Sequence, residues 1–125
     1  MILLLDAHAL LWWLADDATL GDAARRSIAD PSVDVLVSAA TVWEIGIKRA
    51  LGKLDAPDEL PEAIERSGFG GLPVTLVDAD VAAGLPPHHR DPFDRMLVAQ
   101  ATRLGAIVVT RDASFTPYGV RILSA

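Results

Sequence analysis

Residues Ile2-Leu3-Leu4-Leu5 set four large aliphatics in an unbroken run, with Asp6 directly behind them. Such a run is too short to span a membrane and too continuous for a strand with one wet face. It predicts a short strand buried on both faces, the kind that runs through the middle of a parallel sheet. An acid at its carboxyl end lies where open α/β sheets leave a crevice for ligands. Asp is also a good N-cap for the helical run Ala7 to Leu14 that follows. Taken alone, Asp6 reads equally well as a cap or as a reactive carboxylate.

Further short apolar runs at Val35–Val37, Val74–Val77 and Ile107–Thr110 predict three more strands, with Val120–Leu123 as an edge strand. Helical signals alternate with them. Leu10, Trp13 and Leu14 share one face after Asp6, with Trp12 pointing elsewhere, and a polar helix runs from Gly21 to Ala29. Ser38 is an N-cap for a helix from Ala39 to about Leu51, closed by Gly52. Its apolar stripe is expected through Ala40, Trp43, Ile47 and Leu51, with Glu44 at the margin. Short helices are expected near Glu59–Arg66 and Asp78–Ala83, then a loop from Gly84 to Asp91 containing Pro86-Pro87-His88-His89. Asp91-Pro92 starts a helix that Gly105 stops after Leu104. This alternation predicts an α/β fold: a three-layer α/β/α arrangement with a mainly parallel central sheet of four to five strands, and residues 1–125 forming a single domain.

Composition closes off several classes of function. The 51% apolar residues and a mean hydropathy of +0.32 argue against disorder. The absence of cysteine removes disulfides, thiolate zinc, iron–sulfur clusters and thiol catalysis. No apolar run approaches the ~20 residues of a membrane helix, and no basic segment precedes the short N-terminal apolar run, so a cytoplasmic location is expected without a membrane. The net charge of −6 argues against a broad basic surface for nucleic acid. It does not argue against a nucleic-acid substrate, because a metal site that gathers several carboxylates would account for most of that charge.

Acids recur at the places a ligand crevice would use. Asp6 follows the first strand, Glu44 lies two turns into the helix after the second, and Asp112 lies two residues beyond Thr110. Asp94 joins them from the first turn of the preceding helix. Gathered carboxylates do not all stay ionised without a cation between them. Oxygen ligands without a His or Cys pattern suit Mg²⁺ or Mn²⁺, and the matching chemistry is metal-assisted phosphodiester hydrolysis with water as nucleophile. Each acid also has a plainer reading. Asp91 and Asp94 fit helix capping, Glu44 fits an i,i+4 pair with Lys48, and Asp112 fits a turn. Ser38 and Thr110 are candidate orienting hydroxyls, with capping and strand-end bonding the simpler roles. His8, His88 and His89 lack ligand spacing and read as surface or loop residues.

Four segments together carry a family resemblance: Asp6 in LLLDAHALLWWLADD, Glu44 in VSAATVWEIGIKRALGKL, Asp94 in HRDPFDRMLVAQA and Asp112 in GAIVVTRDASF. In order and spacing they resemble PIN-domain ribonucleases, and within these the VapC toxins of bacterial toxin–antitoxin pairs. The resemblance implies a Mg²⁺- or Mn²⁺-dependent endoribonuclease with Asp6, Glu44, Asp94 and Asp112 as an acidic quartet. It also implies an RNA substrate, a cognate VapB-like antitoxin that inhibits the enzyme, and a homodimer. It leaves the role of Asp91 open.

On this reading Asp6, Asp94 and Asp112 bind metal, and Glu44 completes the shell directly or through water. Arg95 and Arg111 either steer RNA phosphates or neutralise neighbouring charge. Leu11 and Trp12, beside the helix from Ala39, are candidate antitoxin contacts, although a tryptophan in so apolar a helix also suits the core. Two other readings stand beside this one. A non-catalytic PIN scaffold would bind RNA or protein only. A receiver-like signalling domain would use Asp78 as acceptor, but it needs a late lysine and none follows Lys53.

Overall fold

The computed structural model describes residues 1–125. Strands β1 (Ile2–Leu5), β2 (Asp34–Ser38), β3 (Gly70–Leu72), β4 (Ile107–Thr110) and β5 (Ile122–Ser124) form one sheet in the order β3-β2-β1-β4-β5. Every pairing is parallel. Between them run α1 (Ala7–Leu14), α2 (Asp22–Ala29), α3 (Ala39–Ala50), α4 (Leu60–Arg66), α5 (Leu76–Gly84) and α6 (Pro92–Leu104), with a 3-10 turn at Ala113–Tyr118. The fold is α/β with helices on both faces, and its sheet is wholly parallel.

The middle strand explains the layers. Leu3, Leu4 and Leu5 are each 0% exposed, so alternate side chains feed opposite cores. Leu3 and Leu5 join Val35, Val37 and Val109 under α1, α2 and α4. Leu4 joins Val108 beneath Leu97, Val98 and Ala101 of α6 and Phe115 of the 3-10 turn. Each leucine so buried contributes roughly 2 kcal/mol. From β1 the chain steps outward through β2 to β3, then returns to place β4 on the other side of β1. Strand order therefore reverses between β1 and β4, and the crevice lies beyond their carboxyl ends.

Two expectations are corrected. The run Val74–Val77 is not a strand. Thr75 and Asp78 form a capping box, the Asp78 amide donating to Thr75 Oγ1 at 3.0 Å and the Thr75 amide to Asp78 Oδ2 at 3.1 Å. Leu76 and Val77 thus begin α5, exposed at 91% and 64%. The third strand is Gly70–Leu72 instead, at the edge of the sheet opposite β5. A Cβ on Gly70 would come within 2.9 Å of Leu36 Cδ2, so a side chain there would require that leucine to shift.

On α3 the stripe is rotated from its expected phase. The helix buries Ala40, Thr41, Glu44 and Ile45, while Trp43 and Leu51 are exposed at 66% and 64%. Glu44 therefore faces inward rather than lying at a margin.

Asp78 also locks α5 onto α6. Its carboxylate accepts from Arg103 Nε at 2.7 Å and Nη2 at 2.9 Å. The guanidinium beside it, aided by the Thr75 bonds, holds its carboxyl down at about 2. This stabilisation is complete above the ordinary carboxylate range and is lost as pH falls towards 2. Asp78→Ala removes both the ion pair and half of the capping box. The guanidinium left behind reaches water, so the loss at pH 7 is about 2 kcal/mol, below that of a fully buried broken pair. Urea unfolding measures it, and an unchanged midpoint would show that α5 docks without this pair.

Candidate active site

Asp6 ends β1, its amide donating to Val109 O at 3.1 Å as the ladder to β4 runs out. Its Oδ1 accepts from the Ala9 amide at 2.9 Å, so the capping role is real. The residue is nevertheless buried at the mouth of the crevice, and burial pushes its carboxyl above the usual range. The Thr110 hydroxyl and the Ala9 amide oppose that shift, and Asp112 adds to it. Thr110, itself buried, also accepts from the Asp112 amide at 3.0 Å. One hydroxyl at the end of β4 thus links the acids of two strands.

Asp94 stands one turn into α6, beyond the Asp91 N-cap. Asp91 Oδ1 accepts from the Phe93 amide at 2.8 Å and the Asp94 amide at 3.1 Å. The Asp94 carboxyl is pushed up to about 7, chiefly by burial, then by the charges of Asp91 and Glu44 and more weakly Asp6, with His89 opposing. Two sequence-distant acids, Glu44 and Asp6, acting on one carboxyl mark the convergence of α1, α3 and α6. Asp112 is the most open of the group, and the Ser114 amide, at 2.8 Å from Oδ1, is the first cause of its lowered carboxyl pKa.

Glu44 is buried and differs from the rest in already having a cation. Lys48, one turn on along α3, bonds its carboxylate. That bond is the first cause of the raised Lys48 ammonium, with the charges of Asp91 and Asp94 behind it. Ser38, fully buried, accepts from the Ala40 amide at 3.1 Å and serves as the cap of α3.

The site residue that sequence spacing missed is His89. Its Nε2 lies 2.8 Å from Asp94 Oδ2 and 3.0 Å from Asp112 Oδ2. Ligand atoms of these three residues all fall within 4.8 Å of one another, a grouping able to hold a metal ion. No periodicity reveals such a contact, because the loop before α6 folds back over the sheet edge.

Both arginines are engaged by backbone oxygens. Arg95 donates to the carbonyls of Ala82, Ala83, Leu85, Pro86 and His89, and to Tyr118 Oη. With both terminal nitrogens engaged, it fixes the α5–α6 loop and is not available to steer phosphate. Arg111 bonds the carbonyls of Thr19 and Ala125 and lies 4.5 Å over the Trp12 ring. Trp12 is consequently half-buried under that guanidinium, and Leu11 half-buried beside it. The exposed tryptophan of the chain is Trp43. It meets Phe93 edge-on at 5.4 Å and, with Val74, Pro92 and Met96, lines a hollow of about 460 Å³. Asp78, the acceptor a receiver domain would need, is bound into Arg103 and helix α5 rather than standing at a strand end.

A family model for the PIN domain matches residues 3–119. Ribonuclease VapC22 of Mycobacterium tuberculosis is 31% identical over 118 residues, spanning 87% of this chain and 85% of that protein. Among solved structures, VapBC2 from Rickettsia felis bound to a DNA fragment from its promoter gives a TM-score of 0.68 at 12% identity, covering 98% of each chain. DNA-bound VapBC from Salmonella typhimurium also gives 0.68, at 20% identity, covering 98% of this chain and 97% of that one. At such identities the two structures speak to the fold alone.

The raised Asp94 carboxyl has a stability consequence. Its folded value of about 7 lies above the ordinary 3.8, so the folded protein gains protons over the unfolded chain in that interval. Its contribution is therefore most favourable at low pH and declines as pH rises through about 7. In EDTA, Asp94→Asn should be more stable than the parent at pH 8 by about 2 kcal/mol. The gain should shrink towards pH 5, as read from urea midpoints. An equal midpoint at both pH values would mean that the acids around Asp94 do not load it.

Proposed function

This chain belongs to the PIN-domain family, and we propose that it is the endoribonuclease toxin of a VapBC-type toxin–antitoxin pair. It hydrolyses RNA phosphodiester bonds with Mg²⁺ or Mn²⁺ and is held inactive by a cognate VapB-like antitoxin. The observation that carries this reading is the meeting of Asp94 and Asp112 at His89, beside the reversal of strand order, with Glu44 and Asp6 near enough for their charges to help raise Asp94 to about 7. Support comes also from the relative named as a ribonuclease and from folds shared with VapBC complexes.

The donor set fits a hard divalent cation: carboxylate oxygens converge from three elements, and their mutual repulsion is what such an ion relieves. Asp6, Asp94 and Asp112 would hold it, while Glu44, already bonded to Lys48, sits outside that set and adds negative field. The chemistry such an ion supplies is Lewis acidity: it acidifies water and offsets charge on a phosphodiester. The chain's own part is to fix the acids. Thr110 and the Ala9 amide set Asp6, Ser114 sets Asp112, and the Asp91 cap sets the first turn that carries Asp94. No Ser–His or Cys–His pair offers a side-chain nucleophile, so water attacks.

A protein partner is favoured by the apolar hollow between Trp43 and Phe93, which flank Glu44 and Asp94 in sequence. A tryptophan 66% exposed beside such a hollow is a suitable interface anchor. A homodimer is the assembly we propose for the toxin itself.

The test is cleavage of total cellular RNA by partner-free protein with Mg²⁺, Mn²⁺ or EDTA. Discrete fragments should require the metal, and Asp6→Asn should lower the rate at least about 100-fold. A folded, partner-free preparation that cuts nothing with either metal would make the chain a binding scaffold instead. For the partner, Trp43→Ala should weaken antitoxin binding at least about tenfold while leaving stability nearly unchanged. Equal affinity would place the hollow outside that interface.

A further inference from the structure

His89 is held unusually firmly for a loop residue. Its amide donates to Tyr118 Oη at 2.9 Å, and the Tyr118 hydroxyl in turn donates to Pro86 O at 2.6 Å. Its carbonyl accepts from Arg95 at 3.2 Å, and its ring meets Phe115 edge-on with centroids 5.8 Å apart. Its side chain is 14% exposed. The Asp91 amide donates to Nδ1 at 3.3 Å, so that nitrogen presents its lone pair and the ring proton lies on Nε2. The Nε2–H then points between Asp94 Oδ2 and Asp112 Oδ2, at 2.8 and 3.0 Å.

We propose that His89 competes with the divalent cation for Asp94 and Asp112, acting as a built-in positioning donor that the ion must displace. This rests on the reading of those two acids as metal ligands. A protonated nitrogen has no lone pair for a metal. Making Nε2 a ligand would move the proton to Nδ1, where it would face the Asp91 N–H, donor against donor. His89 is therefore a donor to the carboxylates and not a member of the ligand set. Its N–H uses one oxygen from each acid and aligns them across two elements, α6 and the end of β4. A cation drawing on the same two oxygens at about 2.1 Å would take the place between them that the Nε2–H now occupies. The loop carrying His89 is pinned by Arg95 and Tyr118, so release is a rotation of the side chain rather than a loss of the loop.

Calorimetric titration of Mn²⁺ into the parent protein, His89→Ala, His89→Gln and Asp94→Asn tests this. The loss of one shared hydrogen bond to charged acceptors should tighten Mn²⁺ binding in His89→Ala by at least about fivefold. His89→Gln, which keeps an N–H donor, should return most of the way to the parent value. Equal or weaker binding in a folded His89→Ala overturns the competition and makes His89 a ligand or a simple support. If Asp94→Asn leaves Mn²⁺ binding untouched, the ligand reading itself fails, and the competition with it.

A second measurement uses the unaltered protein, so it does not depend on any variant folding. Nitrogen-detected NMR of the His89 ring should show a hydrogen-bonded Nε2–H that is freed on adding Mg²⁺, with Nδ1 remaining unprotonated. A switch of the proton to Nδ1 would instead identify His89 as a ligand, and an unchanged ring would show that ion and histidine do not compete.

Discussion

Mutual repulsion among carboxylates at the carboxyl edge of the sheet is the constraint around which this molecule is arranged. Asp6, Glu44, Asp91, Asp94 and Asp112 come from four places in the chain, and the cost of gathering them is concentrated in Asp94, raised to about 7. The surrounding bonds distribute what remains. Lys48 answers Glu44, the Ser114 amide answers Asp112, and the Ala9 amide with Thr110 answers Asp6. Apart from Thr110, which reaches Asp6 from β4, each of these donors is local to the acid it serves. None of them neutralises the centre between Asp94 and Asp112, where only the His89 N–H reaches both.

That arrangement needs a scaffold that does not yield to the repulsion. The buried leucines of β1 supply it by packing into both cores at once, which fixes the strand end that carries Asp6. Parallel pairing then places the ends of β1 and β4 side by side, because both strands run the same way and the strand order reverses between them. On the other bank, α6 is located by the Asp78–Arg103 pair and by its apolar face against Leu4 and Val108. Positive charge that the sequence sets near the acids is largely committed elsewhere: Arg95 to loop carbonyls and Arg111 to Thr19 and Ala125. The site therefore keeps a net negative field suited to a cation, and phosphate would meet that cation rather than a basic surface.

The parts legible in the sequence were those governed by near neighbours. Continuous aliphatics at Ile2–Leu5 and Ile107–Thr110 specify doubly buried strands. Ser38 and Asp91 specify helix starts, and Gly105 a stop, because a cap depends on residues within a turn. The capping box at Thr75 and Asp78 was equally local but lay under an apolar run whose strand propensity outweighed it. β3 was hidden for the opposite reason: two of its three residues are glycines, which carry no strand signal.

Composition and order of residues by themselves determined an α/β chain with a two-faced central strand and acids spaced to meet at one edge. Tertiary structure alone decided which side chains finish that edge. The phase of α3, which buries Glu44 and exposes Trp43, depends on how the helix lies against α1 and α6, and several residues on either face are apolar enough to be chosen. The assignment of Arg95 to carbonyls depends on where the α5–α6 loop turns. His89 reaches Asp112 across 23 residues of chain, through a loop whose path is set by Tyr118 and Arg95. Local propensity acts over a turn or a strand, whereas the contacts that complete this site exist only after distant segments have packed.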